Sequence, residues 1–195
     1  MRRLALLAAS VVVASTAVAV TPASPAQIVT TMTDTARAAV GKGDWSAVVK
    51  ALDDATRSAR RQAPLSITAA QLMTGAHGGL GIYDKAVDNV VADKRLRIYV
   101  EVENLSATPL PPGRFRHELD IVGHFFVVDG KTLQPLGQKN LGRETVDTWR
   151  PLDVHAIGLD FTLGDAPPGP YVVDVVVTDV VTRKTATRRV PFTMR

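Results

Sequence analysis

The sequence predicts a mainly β protein: an antiparallel β-sandwich carrying an N-terminal α-helical hairpin. Three observations predict it. After Pro64 the apolar residues alternate in six or seven short runs, each closed by glycine, proline or Asp-Gly turn signals, which is how half-buried antiparallel strands read. No helical stretch alternates with those runs, so a parallel sheet with crossover helices does not fit. Between Ile28 and Ala63, by contrast, apolar residues recur every four positions, the spacing of one helix face.

The chain opens MRRLALLAASVVVASTAVAVTPASPAQ. Two arginines, an apolar run from Leu4 to about Val20 and then small residues and prolines give the three parts of a secretory signal. Residues 1–26 are read as that signal, cleaved after Ala26 with Ser24 at the minus-three position, or alternatively after Ala19. The apolar run is at the short edge of the roughly 20 residues that span a bilayer. The expectation is therefore an exported protein, periplasmic or secreted, with no membrane span once the signal is gone. There is no cysteine, so neither lipidation at the cleavage site nor a disulfide is available, and stability must come from the core. Roughly 170 mature residues suffice for that. The net charge of +4 falls by two, to +2, when Arg2 and Arg3 leave with the signal. A near-neutral mature chain argues against a nucleic-acid partner.

The hairpin spans residues 27–63. Ile28, Met32, Ala36 and Val40 form one stripe, and Trp45, Val48, Leu52, Ala55 and Ala59 the next. Between them GKGD supplies a left-handed C-terminal position at Gly41 and a helix cap at Asp44. Pro64 ends the second helix, and Arg57, Arg60 and Arg61 complement its negative end. The phrase from Gly43 to Ala55 is similar to one helix pair of a tetratricopeptide-type repeat, but a single copy cannot stand alone.

Residues 64–195 are the β domain. LSITAAQLM reads as a strand by the alternation of Leu65, Ile67 and Ala69, with a short helix as the alternative, and the glycines of TGAHGGLGIYD mark an irregular crossing. LRIYVEVENL turns Leu96, Ile98, Val100 and Val102 inward and Arg97, Tyr99, Glu101 and Glu103 to solvent. NLSATPLPPG reads as loop. HELDIVGHFFVV is a long strand in which Gly123 marks a bulge, and the Asp129-Gly130 turn returns it through KTLQPL. VHAIGLDFTL directs Ile157, Leu159, Phe161 and Leu163 inward. YVVDVVVTDV and TATRRVPF complete the set, with Pro191 at an edge or strand end.

The phrases GLGIYD, LRIYVEVENL, DG and PPGPYVVDVVVTD ending in VPF resemble the layout of immunoglobulin-like sandwich domains in uncharacterised exported bacterial proteins, over about residues 65–195. The resemblance implies an immunoglobulin-like topology and carries no assigned activity. It lacks the cysteine pair, and Trp149 falls in a loop-like stretch; Tyr171, at the start of a late strand, resembles a tyrosine corner.

Chemistry is sparse. None of Ser46, Ser58, Ser66 and Ser106 lies in a G-x-S-x-G elbow. His77 sits in the glycine loop, and His117 and His124, seven apart on one strand, face opposite sides unless Gly123 bulges. Glu101 and Glu103 share a face, which reads as solvated rather than as a catalytic dyad. Acidic spacing for calcium is missing, and Asn104-Leu105-Ser106 matches a glycosylation sequon by composition alone. Catalytic residues, metal ligands and cofactors are thus expected to be absent. The reading that remains is a non-enzymatic binding or structural module with an unknown protein partner; the alternative is a carbohydrate or small-ligand binder using a rim of Trp149, Asp153 and His155.

One surface stands out. Valines occupy both faces of the late strand, and Val122, Phe126, Val172 and Val176 fall on the second face of two strands that immunoglobulin-like topology makes neighbours. Such a patch is seldom left bare. The expectation is that the helical hairpin docks on those four residues.

Overall fold

A computed structural model describes residues 23–195. The expected signal falls mostly on residues 1–22, outside the described residues. Helix α1 (Pro25–Val40) starts at Ser24, whose hydroxyl accepts the Gln27 N–H while the Gln27 side chain accepts the Ser24 N–H, a reciprocal capping box. Ala26, the expected cleavage position, therefore lies in the first helical turn. Gly41 keeps helical dihedrals (φ −61°), and the left-handed turn position falls to Gly43 at φ +69°. Asp44 caps helix α2 (Trp45–Gln62) by accepting the Ala47 N–H at 3.0 Å.

The two helices are each other's partner. Ala36 and Ala39 of α1 meet Val48 and Ala51 of α2 in a small cluster separate from the main core. Short side chains at these positions let the helices approach closely, which rotates α2 by about one residue from the stripe expected of it. Trp45, read from its spacing as helix core, is instead exposed.

The β region comprises β1 (Ser66–Leu72), β2 (Val90–Val91), β3 (Arg95–Glu103), β4 (Thr108–Leu110), β5 (Arg114–Asp129), β6 (Thr132–Thr148), β7 (Val154–Thr162), β8 (Gly169–Asp179) and β9 (Thr185–Met194). One sheet has the order β1-β3-β7, all antiparallel. The other runs β9-β8-β5-β6, with β2 added to the free edge of β9 and β4 pairing the start of β5. Leu96, Ile98, Val100 and Val102 of the first sheet, none of them solvent-exposed, share one core with Leu119, Ile121, Val173, Val175, Val177, Val190 and Phe192 of the second. The inward faces assigned from alternation are therefore those that pack. Phe161 is only half-buried.

Three expectations change. The segment 104–113 is not all loop, since Thr108–Leu110 forms β4. The return strand after Asp129-Gly130 runs through Thr148, well beyond KTLQPL. The bulges fall on β6, where the register skips Leu141 and Leu136, and not at Gly123. Gly123 faces the core, where an added Cβ would lie 3.0 Å from the Phe125 ring and 3.1 Å from Leu141, so it makes room for those two side chains.

The outer face of β3 is not solvated either. The glycine-rich crossing 74–83 folds back over it and Tyr99 is completely buried. Its ring stacks on Tyr83 at 4.1 Å and meets the edge of His77 at 6.0 Å. The Tyr99 hydroxyl donates to Glu101 at 2.5 Å and accepts the Gly81 N–H at 2.6 Å. Gly158 lies beneath the His77 ring, so close that an added Cβ would sit 2.5 Å from Cδ2. Burial, and then the bond to the Glu101 carboxylate, push the Tyr99 phenol above its ordinary pKa. Glu101 is thus a structural acceptor.

Candidate binding surfaces

The rim at one end of the sheets is organised by His117, which is 2% exposed. The Leu152 N–H donates to its Nε2 at 3.1 Å, and its Nδ1 lies 2.8 Å from the Ser106 carbonyl. Since Nε2 accepts, Nδ1 carries the proton and donates to Ser106, which fixes a neutral tautomer. Burial holds His117 below the usual histidine pKa, against the opposing effect of the Ser106 bond. Beside it buried Asp179 accepts from the N–H groups of Ser106, Val181 and Thr182. These bonds tie the β3–β4, β6–β7 and β8–β9 connections to one point.

On this rim the expected ligand trio is divided: Trp149 and Asp153 wall the same cleft, and His155 does not reach it. Asp153 precedes β7 and pairs with Arg60 of α2. His155 turns to Glu144 of β6, with Nε2 3.1 Å from Oε1, and bridges the edges of the two sheets. Trp149, 71% exposed, stands on the β6–β7 connection, where the Arg114 guanidinium lies 5.9 Å from its ring centroid. Asp153 and His155 therefore do not converge, and no group of three potential metal ligands occurs among the described residues. His117 and His124 face opposite sides, because β5 continues without a bulge.

Between this rim and the last turns of α2 lies a cleft of about 720 Å³, walled by Arg57, Arg61, Phe115, Trp149 and Asp153. Arg57 pairs with Asp54 at 2.6 Å and Arg60 with Asp153. Arg114 and Arg116 converge on Asp147 at 2.9 and 2.8 Å, and their bonds, that of Arg116 foremost, hold its carboxyl below the ordinary aspartate range. Lys184 donates to the carbonyls of Arg61 and Ala63, both at 2.7 Å, and Asn104 donates to the Pro64 carbonyl. A cation on the free carbonyls of a helix end is a favourable arrangement. It fixes the foot of α2 to the rim.

The hairpin is consequently not docked on the sheet. Val122 lies opposite Val176 and Phe126 opposite Val172 in the β5–β8 register, as expected of neighbouring strands. These four are covered mainly by one another: Val172 is 6% exposed and the others are half-buried. On the same face, Asp174 of β8 accepts two bonds from Arg189 of β9, each 2.7 Å. Cross-strand pairing thus supplies the cover that the helices were expected to give. An exposed apolar stripe lies elsewhere, on α2: Trp45 (66%), Val49 (60%) and Leu52 (46%) follow at spacings of four and three and share one helix face. Only the choice of face on α2 hid it in the sequence. Among the described residues no helix is long and apolar enough to cross a membrane.

No family model matches this sequence, and no curated protein matches it. Among solved structures it is similar to the alkylpurine DNA glycosylase AlkC of Pseudomonas fluorescens bound to DNA containing an abasic-site analogue, at 14% identity over 77% of this chain and 38% of that one, with a TM-score of 0.40. A β-glucosidase from Kluyveromyces marxianus in complex with glucose follows at 15% identity, 66% and 14% coverage and a TM-score of 0.34. β-Glucosidase 3B from Thermotoga neapolitana has 13% identity, 66% and 15% coverage and a TM-score of 0.36. The chain thus spans well under half the length of each, and likenesses of this size carry no function to it.

Proposed function

We propose that this chain is an exported, non-enzymatic binding module, an immunoglobulin-like domain that engages another protein through its helical hairpin. The observation that carries the reading is the bare stripe of Trp45, Val49 and Leu52. An amphipathic helix with a large aromatic and two aliphatic residues facing water has the form of a helix that seats in another protein's apolar groove. The rim fixes only the foot of α2 and leaves this face free. In support of the immunoglobulin-like arrangement, β1-β3-β7 facing β9-β8-β5-β6 reproduces the strand order A-B-E and G-F-C-C′. The Tyr171 hydroxyl donates to the Pro167 carbonyl at 2.7 Å, four residues upstream, as the tyrosine corner at the start of strand F does. Polar groups that first read as candidates for chemistry have structural roles here: His117 pins the β3–β4 connection to the β6–β7 connection, Glu101 holds Tyr99, and His155 pairs with Glu144.

The test is affinity capture from the host envelope with the natural protein and with Val49→Asp. A protein retained by the first and lost with the second supports the reading. Equal retention by both removes the stripe from it, and co-sedimentation with anionic lipid vesicles in place of a protein partner would replace it. A second reading, carbohydrate or small-ligand binding at the rim, rests on Trp149 and Asp153, which wall the same cleft; His155 is drawn away from it by Glu144.

A further inference from the structure

The edges of β6 and β7 belong to different sheets and do not pair, so the shared core opens to solvent between them. Near one end His155 and Glu144 span the gap. Near the other, Lys139 of β6 donates to the Thr162 carbonyl of β7 at 3.3 Å, and its Nζ lies 5.6 Å from the centroid of the Phe161 ring. Beside Lys139 the gap widens into a cavity of about 360 Å³, lined by Phe125, Phe161, Leu163, Ala166, Tyr171 and Phe192 among others. Phe125 meets Phe161 edge to face at 5.5 Å, and Tyr171 stacks on Phe192 at 5.5 Å. The Tyr171 hydroxyl is already engaged by Pro167.

Among the described residues, Lys139 is the one charged residue of the lining, which contains no carboxylate. The nearby Asp165 lies toward Lys94, at 3.8 Å. The volume lies in the range of small-molecule sites, and an apolar wall with one placed polar group is their usual composition. A single cation at the mouth of an aromatic cavity matches a ligand with one negative charge and an apolar body. We propose that this pocket binds a small apolar monocarboxylate, its acyl or aryl body seated among the four rings and its carboxylate on Lys139 in place of the Thr162 carbonyl. This site is independent of the helical stripe, and each stands if the other fails.

Decanoate, kept below its micelle-forming concentration, and uncharged decanol are the probes, titrated into the purified protein by calorimetry with chemical-shift mapping. The expected result is saturable one-to-one binding of decanoate, with shifts concentrated at Phe125, Phe161 and Leu163. Lys139→Gln weakens decanoate about tenfold or more, the worth of one charge-assisted hydrogen bond, Lys139→Arg retains it, and decanol changes less than about twofold in either variant. Leu136→Trp, placed at an exposed position of the mouth, blocks both probes in a protein that still unfolds cooperatively. Absence of saturable decanoate binding, shifts that map elsewhere, or equal decanoate affinity in Lys139→Gln would each overturn the proposal.

Discussion

Replacing His117 by leucine removes two hydrogen bonds at a buried point and leaves the Leu152 N–H and the Ser106 carbonyl without their partner. Each orphaned buried group costs about 1 to 3 kcal/mol, offset in part by the apolar side chain, so the expected loss is about 2 to 4 kcal/mol at pH 7.5. The pH dependence is the sharper signature. His117 is held below its unfolded pKa by burial, so below the ordinary histidine value of about 6.5 the unfolded chain takes up a proton that the folded chain refuses. Its contribution is complete above that value and is lost as the pH falls toward the folded pKa, with a slope of at most about 1.4 kcal/mol per pH unit for one proton. Urea denaturation of both proteins at pH 7.5, 6.5 and 5.5 measures this. The difference between natural protein and variant should shrink toward pH 5.5. A constant difference across that range, or a loss under about 1 kcal/mol at pH 7.5, would show that the imidazole does not pin the β3–β4 and β6–β7 connections.

Tyr99→Phe deletes the donor to Glu101 and the acceptor of the Gly81 N–H and should cost about 1 to 3 kcal/mol, read by denaturant unfolding. Gly158→Ala drives a methyl group into the His77 ring and should lift the 74–83 crossing, so that its amides exchange faster while those of β3 stay protected, as hydrogen exchange will record. Ile98→Ala, at a fully buried position, should cost about 2 to 5 kcal/mol. Phe161→Ala should cost less than the 3 to 5 kcal/mol of a fully buried phenylalanine, because half of that ring already faces the pocket; chemical denaturation of the two variants side by side gives the order.

The parts of the fold that were legible in the sequence are those decided by local pattern. Alternation fixed the inward rows of β3 and β7, and GKGD placed the helix turn to within two residues. What was not legible depends on residues far apart in the chain. Tyr99 reads as solvated because nothing near it announces that the 74–83 crossing will return to cover it. The length of β6 was hidden because an edge strand is polar on both faces and its skipped residues, Leu136 and Leu141, break the period of two. On α2 the spacing allowed two neighbouring stripes, and the alanines of α1 chose Val48 and Ala51. The rim trio was legible in part: Trp149 and Asp153 wall one cleft, whereas His155 leaves it because its partner, Glu144, comes from β6.

The stripe on α2 is tested most directly by the fluorescence of Trp45, one of only two tryptophans. With Trp149→Phe the emission reports Trp45 alone. In the isolated protein it should have the red-shifted maximum of a hydrated indole and be freely quenched by acrylamide, and a captured partner should shift it to the blue and protect it. A blue, quench-resistant Trp45 in the isolated monomer would mean that the helix face is already covered within this chain, contradicting a stripe left free for a partner.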